Sequence, residues 1–384
     1  MPRLYTNMID YVLTERDSFA QRPVCRVDSL VFSWLAYLRI PEAARAAFGE
    51  EDMTLRELYR PEWLDAMCGR LYDVQSSIDL LQAAAQSPRF RDVVVSRYVS
   101  LMDASAEQQF SAMTFKFGPS EHFLAFRGTD NTLVGWKEDF NMSFATTVPS
   151  QVTAVRYLER VAGQTQGRLW CGGHSKGGNL AVYAGVMCDR HVRGRVVQCF
   201  SHDGPGFSEA TMADPRWSVV DLLVDKTIPQ SSVIGMIFER QEREFMVVHS
   251  HNVGFNQHDP FSWEVNGCDF ERDDRLGSGA SLFDATMNAT LAVSSLADRE
   301  RLVDLVFRVL NASGETCFGD IKRNWKQAIP RILLAVAALD AEDRKFVQTA
   351  VTDILRAMVP DLKKTETWAL LGNSAAGIYG ILRS

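Results

Sequence analysis

No stretch of this 384-residue chain approaches the roughly 18–20 consecutive apolar residues that a bilayer span requires. The longest candidate, Ile332 to Leu339, is about half that length and predicts a buried helix segment instead. An apolar signal core is missing too, because Asp10, Glu15, Arg16 and Asp17 interrupt the first turns of the chain. Paired cysteine motifs are absent. The seven cysteines (Cys25, Cys68, Cys171, Cys188, Cys199, Cys268 and Cys317) are scattered and odd in number, which fits reduced thiols and predicts a cytoplasmic protein. There is no excess of positive charge: the net charge of −7 leaves no electrostatic footprint for nucleic acid. His-Glu-x-x-His, Gly-x-Gly-x-x-Gly after a strand, and Gly-x-x-x-x-Gly-Lys-Ser/Thr are all lacking, so neither a metal nor another cofactor is expected. Repeats and low-complexity linkers are also missing. What remains, 46% apolar and 23% charged residues, is the composition of a globular protein.

The hydrophobic period changes along the chain. Residues 1–110 predict mainly helix: Leu30, Trp34, Tyr37 and Leu38 recur at helical spacing with Asp28 or Ser29 as the cap, and helical patterns follow over 55–58 and 76–85. From Met113 the residues alternate apolar with polar, Gly118-Pro119-Ser120 turns, and His122 to Phe126 continues as a second strand. Strand and helix signals then alternate, as in a mostly parallel sheet with crossover helices: helix near 154–161, strand 168–171, a helix opening at Gly177, then strands near 196–200, 219–224 and 245–249. Helices close the chain, with one apolar stripe at Leu302, Leu305, Val306, Val309 and Leu310. A second stripe lies at Val347, Val351, Ile354, Leu355 and Met358, with Asp340, followed by Asp343, as its N-cap. Three regions follow: an N-terminal helical segment (1–110), an α/β core (111–275) and a C-terminal helical extension (276–384), with the last boundary at the Gly/Ser-rich 275–281.

One pentapeptide carries chemistry. Gly173-His174-Ser175-Lys176-Gly177 fits Gly-x-Ser-x-Gly, and its surroundings supply what that pattern needs: the Leu169-Trp170-Cys171 strand before it and the helix-compatible Asn179 to Ala184 after it. Glycines 172, 173, 177 and 178 leave room for strand and helix to approach closely. Ser175 is therefore the expected nucleophile, and a serine hydroxyl needs a histidine to take its proton. The acid and base are expected after the serine in the chain. His191 ends the outgoing helix and is expected to be solvated, His202 directly follows a strand, and His249 and His251 flank the end of another. His258, in the polar Asn256-Gln257-His258-Asp259-Pro260 loop, is the preferred base, with His251 and His249 as alternatives.

Phe126-Arg127-Gly128-Thr129, followed by Gly135, Trp136 and Asp139, resembles the oxyanion-loop and lid-start signature of the class 3 lipases. Gly173 to Ala181 resembles their elbow. The longer phrases 126–139, Asp203-Gly-Pro-Gly-Phe207, Pro229-Gln-Ser-Ser-Val-Ile-Gly235 and Gln257-His-Asp-Pro-Phe-Ser-Trp263 look like a bacterial branch of lipase-like hydrolases of unknown function. The likeness covers about residues 5–270 and implies an α/β-hydrolase fold and carboxylic-ester hydrolysis of a small-molecule or lipid ester. By position, Thr129 inherits the oxyanion donor role, with the backbone N–H of Lys176 as its partner, each such donor contributing about 3–4 kcal/mol to the transition state. Arg127 is expected to brace the loop, and the segment 131–144 either to lie beside the site as a lid or to form an ordinary surface helix.

The resemblance fails at the acid. Class 3 lipases place an Asp shortly before a Val-Pro pair, and the comparable stretch here, Asp221 to Ile234, offers Ser231 and Ser232 after Pro229 instead of a carboxylate. Asp225 is expected as the acid, with Asp203 as the alternative. Acyl transfer or thioester hydrolysis by the same residues, and a non-catalytic binding role, remain open alternatives.

Overall fold

The computed structural model describes residues 6–48, 53–130, 132–142, 145–220, 223–232, 234–236, 245–273, 296–341, 343, 344 and 347. Its centre is an eight-stranded sheet whose spatial order equals the chain order. The strands are β1 (Met53–Thr54), β2 (Val94–Asp103), β3 (Gln108–Gly118), β4 (Glu121–Phe126), β5 (Arg168–His174), β6 (Val196–His202), β7 (Val224–Pro229) and β8 (Met246–Val248). β1 to β4 run antiparallel and β4 to β8 run parallel. The switch follows from the connections. Asp103 closes the β2–β3 turn by accepting the amides of Ser105 and Ala106, whereas β4 to β5 and β5 to β6 are joined through the helices Pro149–Gln164 and Lys176–Met187.

Side-chain alternation along these strands feeds two cores. Phe115, Phe123, Trp170 and Phe200 face one way, against the helices Arg26–Leu35 and Val74–Gln86. Phe110, Leu124, Cys171 and Cys199 face the other, against Leu158, Val161, Leu180 and Ala184. Strands covered on both faces carry near-continuous apolar sequence, which is why 169–174 is buried throughout. The helix Arg26–Leu35 starts earlier than its pattern implied: Cys25 is its N-cap, and Asp28, three positions on, accepts the Cys25 amide at 2.9 Å. Asp28 also takes a bidentate ion pair from the fully buried Arg89.

Two regions depart from the sequence expectation. The first 110 residues are not all helix, because Val94, Val95 and Val99 belong to the ten-residue β2, where β-branched residues suit a pleated surface. The chain also divides into two compact units differently: one holds Met1–Thr129 and Thr146–Val293, the other Asp130–Ala145 and Ser294–Ser384. The expected lid segment thus belongs with the C-terminal helices. Its helix Leu133–Asn141 packs Leu133 into a cluster with Val306, Leu310, Ile332 and Val347, and the amide of Leu133 bonds the carbonyl of Thr316 at 2.9 Å. Within that unit, Leu296–Asn311 buries Leu305, Val306, Val309 and Leu310, and Trp325–Ala337 buries Ile332, Leu333 and Val336. Asp340 accepts the Asp343 amide at 2.9 Å as an N-cap. The expected boundary at 275–281 and the stripe residues Val351, Ile354, Leu355 and Met358 lie outside the described residues. No helix among the described residues is long and apolar enough to cross a membrane.

Candidate active site

The turn between β5 and the helix Lys176–Met187 is sharp because it has no room to be otherwise. Ser175 sits at φ 58° and ψ −135°, a backbone conformation that side-chain-bearing residues rarely adopt. A Cβ at Gly173 would fall 2.1 Å from the carbonyl carbon of Gly177, and one at Gly177 would fall 2.1 Å from the oxygen of Phe126. Strand and helix therefore meet backbone to backbone, and only glycine fits at either position. The Ser175 amide donates to the carbonyl of His202 at 2.9 Å, tying the turn to the end of β6, and the Ser175 carbonyl accepts from Gly178.

The Phe126–Thr129 stretch lies against this turn. At Gly128 a Cβ would meet the Tyr37 hydroxyl at 2.0 Å and the His174 carbonyl oxygen at 2.6 Å. Thr129 is half-buried just beyond. Lys176 is the first residue of the outgoing helix, where N–H groups point out along the axis. Its side chain is buried and donates to the backbone and side-chain oxygens of Gln109, each at 3.1 Å. Arg127 is buried as well, with its amide bonded to the Ser111 carbonyl at 2.9 Å.

At the carboxyl end of β6 the chain reaches Asp203, which is fully buried and has φ 50°. Its Oδ2 lies 2.6 Å from Nδ1 of His258. The other oxygen accepts the Ser232 hydroxyl and, at 3.1 Å, the amide of Gly235. Gly235 has to be glycine, since a Cβ there would stand 2.3 Å from Oδ1 of Asp203. The loop after Asp203 is held by Asn179 on the elbow helix, whose Nδ2 donates to the carbonyls of Pro205 and Gly206.

Asp225 is the correction. It does not end its strand but sits one residue after its start, four residues before Pro229. At about 3.3 Å per residue that places it some 13 Å from the carboxyl edge of the sheet, the edge on which open parallel sheets gather their sites. Both its oxygens accept Arg26 Nε at 2.8 Å, while Arg26 also reaches Asp269. The His258 imidazole meets Asp203 instead, so the residue expected only as the alternative is the one brought to the histidine.

The loop bearing His258 is pinned from several sides. His174 Nε2 lies 2.9 Å from the His258 carbonyl oxygen, and the two rings meet tilted by 35° at a centroid distance of 4.5 Å. Nε2 must be the donor there, which leaves Nδ1 to accept from the Tyr37 hydroxyl 3.2 Å away. Full burial, with His258 close by, pushes the His174 pKa well below the ordinary value and keeps the ring neutral. Gln257 accepts the Ser231 amide and donates to Asn252, and Trp263 donates to the Gln257 carbonyl. Gln230 exchanges two hydrogen bonds with Ser250. Asp259 caps the next turn through the Phe261 amide. Sequence reasoning missed the roles of Ser232, Gly235, His174 and Tyr37. The one signal pointing toward the first two was the compact Pro229-to-Gly235 phrase.

The other histidines lie elsewhere. His191 is exposed in the short helix Arg190–Arg193. His249 and His251 pair with Asp273 and Glu264. His202 is buried beside Phe200, Trp263 and Phe270, with Nε2 2.7 Å from the Ser29 hydroxyl. Burial lowers its pKa to about 3, with Arg26 adding to the effect. An unfolded histidine titrates near 6.5, so below that pH the unfolded state binds the proton more readily. The resulting stability is complete above about pH 6.5, is lost as pH falls toward about 3, and changes no further below. Across that window chemical denaturation should show a loss on the order of 1 kcal/mol per pH unit from this residue. His202→Gln keeps a donor for Ser29 and should flatten the slope; an unchanged slope would contradict the assignment.

No curated protein sequence matches the chain. Among solved structures, a triacylglycerol lipase whose catalytic centre is a serine-protease triad aligns over 71% of this chain and 91% of its own, at 13% identity and a TM-score of 0.36. The Rhizomucor miehei lipase in its native propeptide complex aligns over 57% of this chain and 69% of its own, at 13% identity and a TM-score of 0.34. M37 lipase aligns over 55% and 68%, at 14% identity and a TM-score of 0.32. A family model matches residues 84–308, more than half of the chain, taking in β2 to β8, the elbow, Asp203 and His258: the chain belongs to the Mbeg1-like family.

Proposed function

We propose that this chain is a serine hydrolase of the α/β-hydrolase fold that cleaves carboxylic esters through an acyl-enzyme on Ser175. One observation carries this: Ser175 is held at positive φ on a strand-to-helix turn while the next parallel strand ends in a buried aspartate bonded to His258. With Nδ1–H donated to Asp203, the Nε2 lone pair of His258 is the one available to take the proton from Ser175 Oγ. Oγ then attacks the ester carbonyl, and the oxyanion is received by Thr129 and the Lys176 amide. His258 returns the proton to the departing alcohol. Water, deprotonated by the same imidazole, releases the acid and restores the serine. Acyl lipids and short-chain esters are the substrate class.

A fluorophosphonate probe should label the folded protein at Ser175 and fail to label Ser175→Ala. Folded protein that stays unlabelled, or a variant that still labels, would sink the proposal.

Ser232 bears on the same machinery through Asp203. Its hydroxyl and the Gly235 amide fix the carboxylate in the orientation that meets His258, and Ser232→Ala loosens that orientation. On a p-nitrophenyl ester, kcat should fall about tenfold with KM unchanged. An unchanged kcat would assign Ser232 to packing alone.

A further inference from the structure

Outside the catalytic cleft, the chain gathers a second set of chemically capable side chains. The segment after β8 is hydrogen-bonded through its backbone to residues 262–264 and 271. The His249 amide donates to the Glu271 carbonyl, the Glu264 amide to the His249 carbonyl, and the His251 amide to the Ser262 carbonyl, each at 2.9 Å. An antiparallel bridge joins Ser250 and Trp263 between them. In extended backbone, residues two apart share a face, so His249 and His251 point the same way, and cross-strand pairing brings Glu264 beside them. The two rings are 5.0 Å apart between centroids. One ligand atom from each of the three residues lies within 4.8 Å of the others, and His251 Nε2 is 2.8 Å from Glu264 Oε2. Among the described residues this is the one such constellation of metal-type ligands.

We propose that His249, His251 and Glu264 bind a single divalent cation of the zinc type. Two imidazoles and a carboxylate are an established donor set for that ion, with water completing the tetrahedron. Ligand atoms about 2.0–2.1 Å from zinc stand roughly 3.4 Å apart, so the 2.8 Å His251–Glu264 pair opens and wider separations within the 4.8 Å limit close, shifts that partly exposed side chains reach by rotation. One feature separates this cluster from a plain His–Glu hydrogen bond. His249 Nδ1 is already engaged by the Asp273 carboxylate at 3.1 Å, which orients the ring and leaves Nε2 for the metal, the arrangement that commonly supports a ligating histidine. Sequence spacing concealed the set, because Glu264 stands thirteen residues from its partner His251.

The position gives the ion a role. His251 and Glu264 bracket the segment 252–263, which contains His258. A cation joining them closes that segment at its base and removes conformations in which the loop peels away from Gln230, Ser231 and His174. The inference stands whether or not Ser175 performs hydrolysis.

The test is calorimetric titration of chelator-treated, full-length, untagged protein with zinc chloride, compared with a His251→Ala/Glu264→Gln variant. About one equivalent should bind the wild type, raising its Tm, and affinity should fall at least 100-fold in the variant. Circular dichroism checks that the variant remains folded; if it does not, His249→Gln replaces it. Cobalt(II) in place of zinc should give a tetrahedral visible spectrum without the near-ultraviolet thiolate band, which excludes the free cysteines as ligands. No binding, equal binding by a folded variant, or a thiolate band overturns the proposal.

Discussion

Ser175→Ala is expected to lower kcat/KM for ester hydrolysis by a factor on the order of 10⁴–10⁶, measured on a p-nitrophenyl ester series with the fold verified by circular dichroism. The size follows from what is removed. Without Oγ there is no acyl-enzyme, and His258, however well oriented by Asp203, has only water to activate. The oxyanion donors and the binding surface persist, so a residual rate above the uncatalysed reaction should survive. Stability should move the other way in a companion variant. At φ 58° and ψ −135° any side chain is strained, and Ser175→Gly relieves what Ser175→Ala retains. The glycine variant should be equally inactive yet more stable than wild type by about 1–2 kcal/mol in chemical denaturation. Alanine-variant activity above a few per cent of wild type would remove Ser175 from the mechanism.

The second large effect separates two aspartates that the sequence alone leaves in competition. Asp203→Asn should reduce kcat about 10⁴-fold near neutral pH, because an amide can donate to His258 Nδ1 and favour the tautomer whose Nε2 carries the proton. Asp225→Asn should leave kcat within a few-fold of wild type. Its cost should appear in stability, roughly 1–3 kcal/mol, as Arg26 exchanges a charged acceptor for a neutral one while Asp269 remains. Steady-state kinetics and urea denaturation on the two variants give opposite patterns if Asp203 is the acid. If Asp225→Asn abolishes turnover with its stability intact, the assignment fails.

The competition had a physical origin. Asp225 follows the apolar residues that predict a strand near 219–224, which would put it at that strand's carboxyl end. The strand in fact begins at Val224, so the same residue moved from the carboxyl edge of the sheet to the opposite part of its strand. Strand boundaries depend on which neighbour completes the ladder, and Val224 pairs with Cys199 across the sheet. The elbow was legible because its constraint is local: small residues, a preceding apolar run and a following helix all lie within a dozen residues. The parallel order of β5 and β6 was legible for the same reason. β2 was not, since its alternation is interrupted by a register shift between Ser96 and Val99. The anchors of Asp203 escaped notice because a serine and a glycine acquire meaning only when folding aims them at a buried carboxylate. The His249–His251–Glu264 set was invisible for a similar reason, being assembled by cross-strand pairing.

Residues near the start of the described chain bond to several segments that carry or adjoin the candidate site. Thr6 exchanges hydrogen bonds with Val265, and Asn7 Nδ2 donates to the Phe261 carbonyl. Arg26 holds Asp225, Ser29 meets His202, and Tyr37 meets His174. These bonds span up to 259 positions of sequence. During synthesis, therefore, the early helices leave the ribosome long before their partners exist, and the loop bearing His258 finds its anchors only after Val265 has emerged. Such long-range closure is slow, and it makes the assembly of this site a late event in the life of the nascent chain. The unfinished polypeptide thus carries Ser175 well before it carries His258.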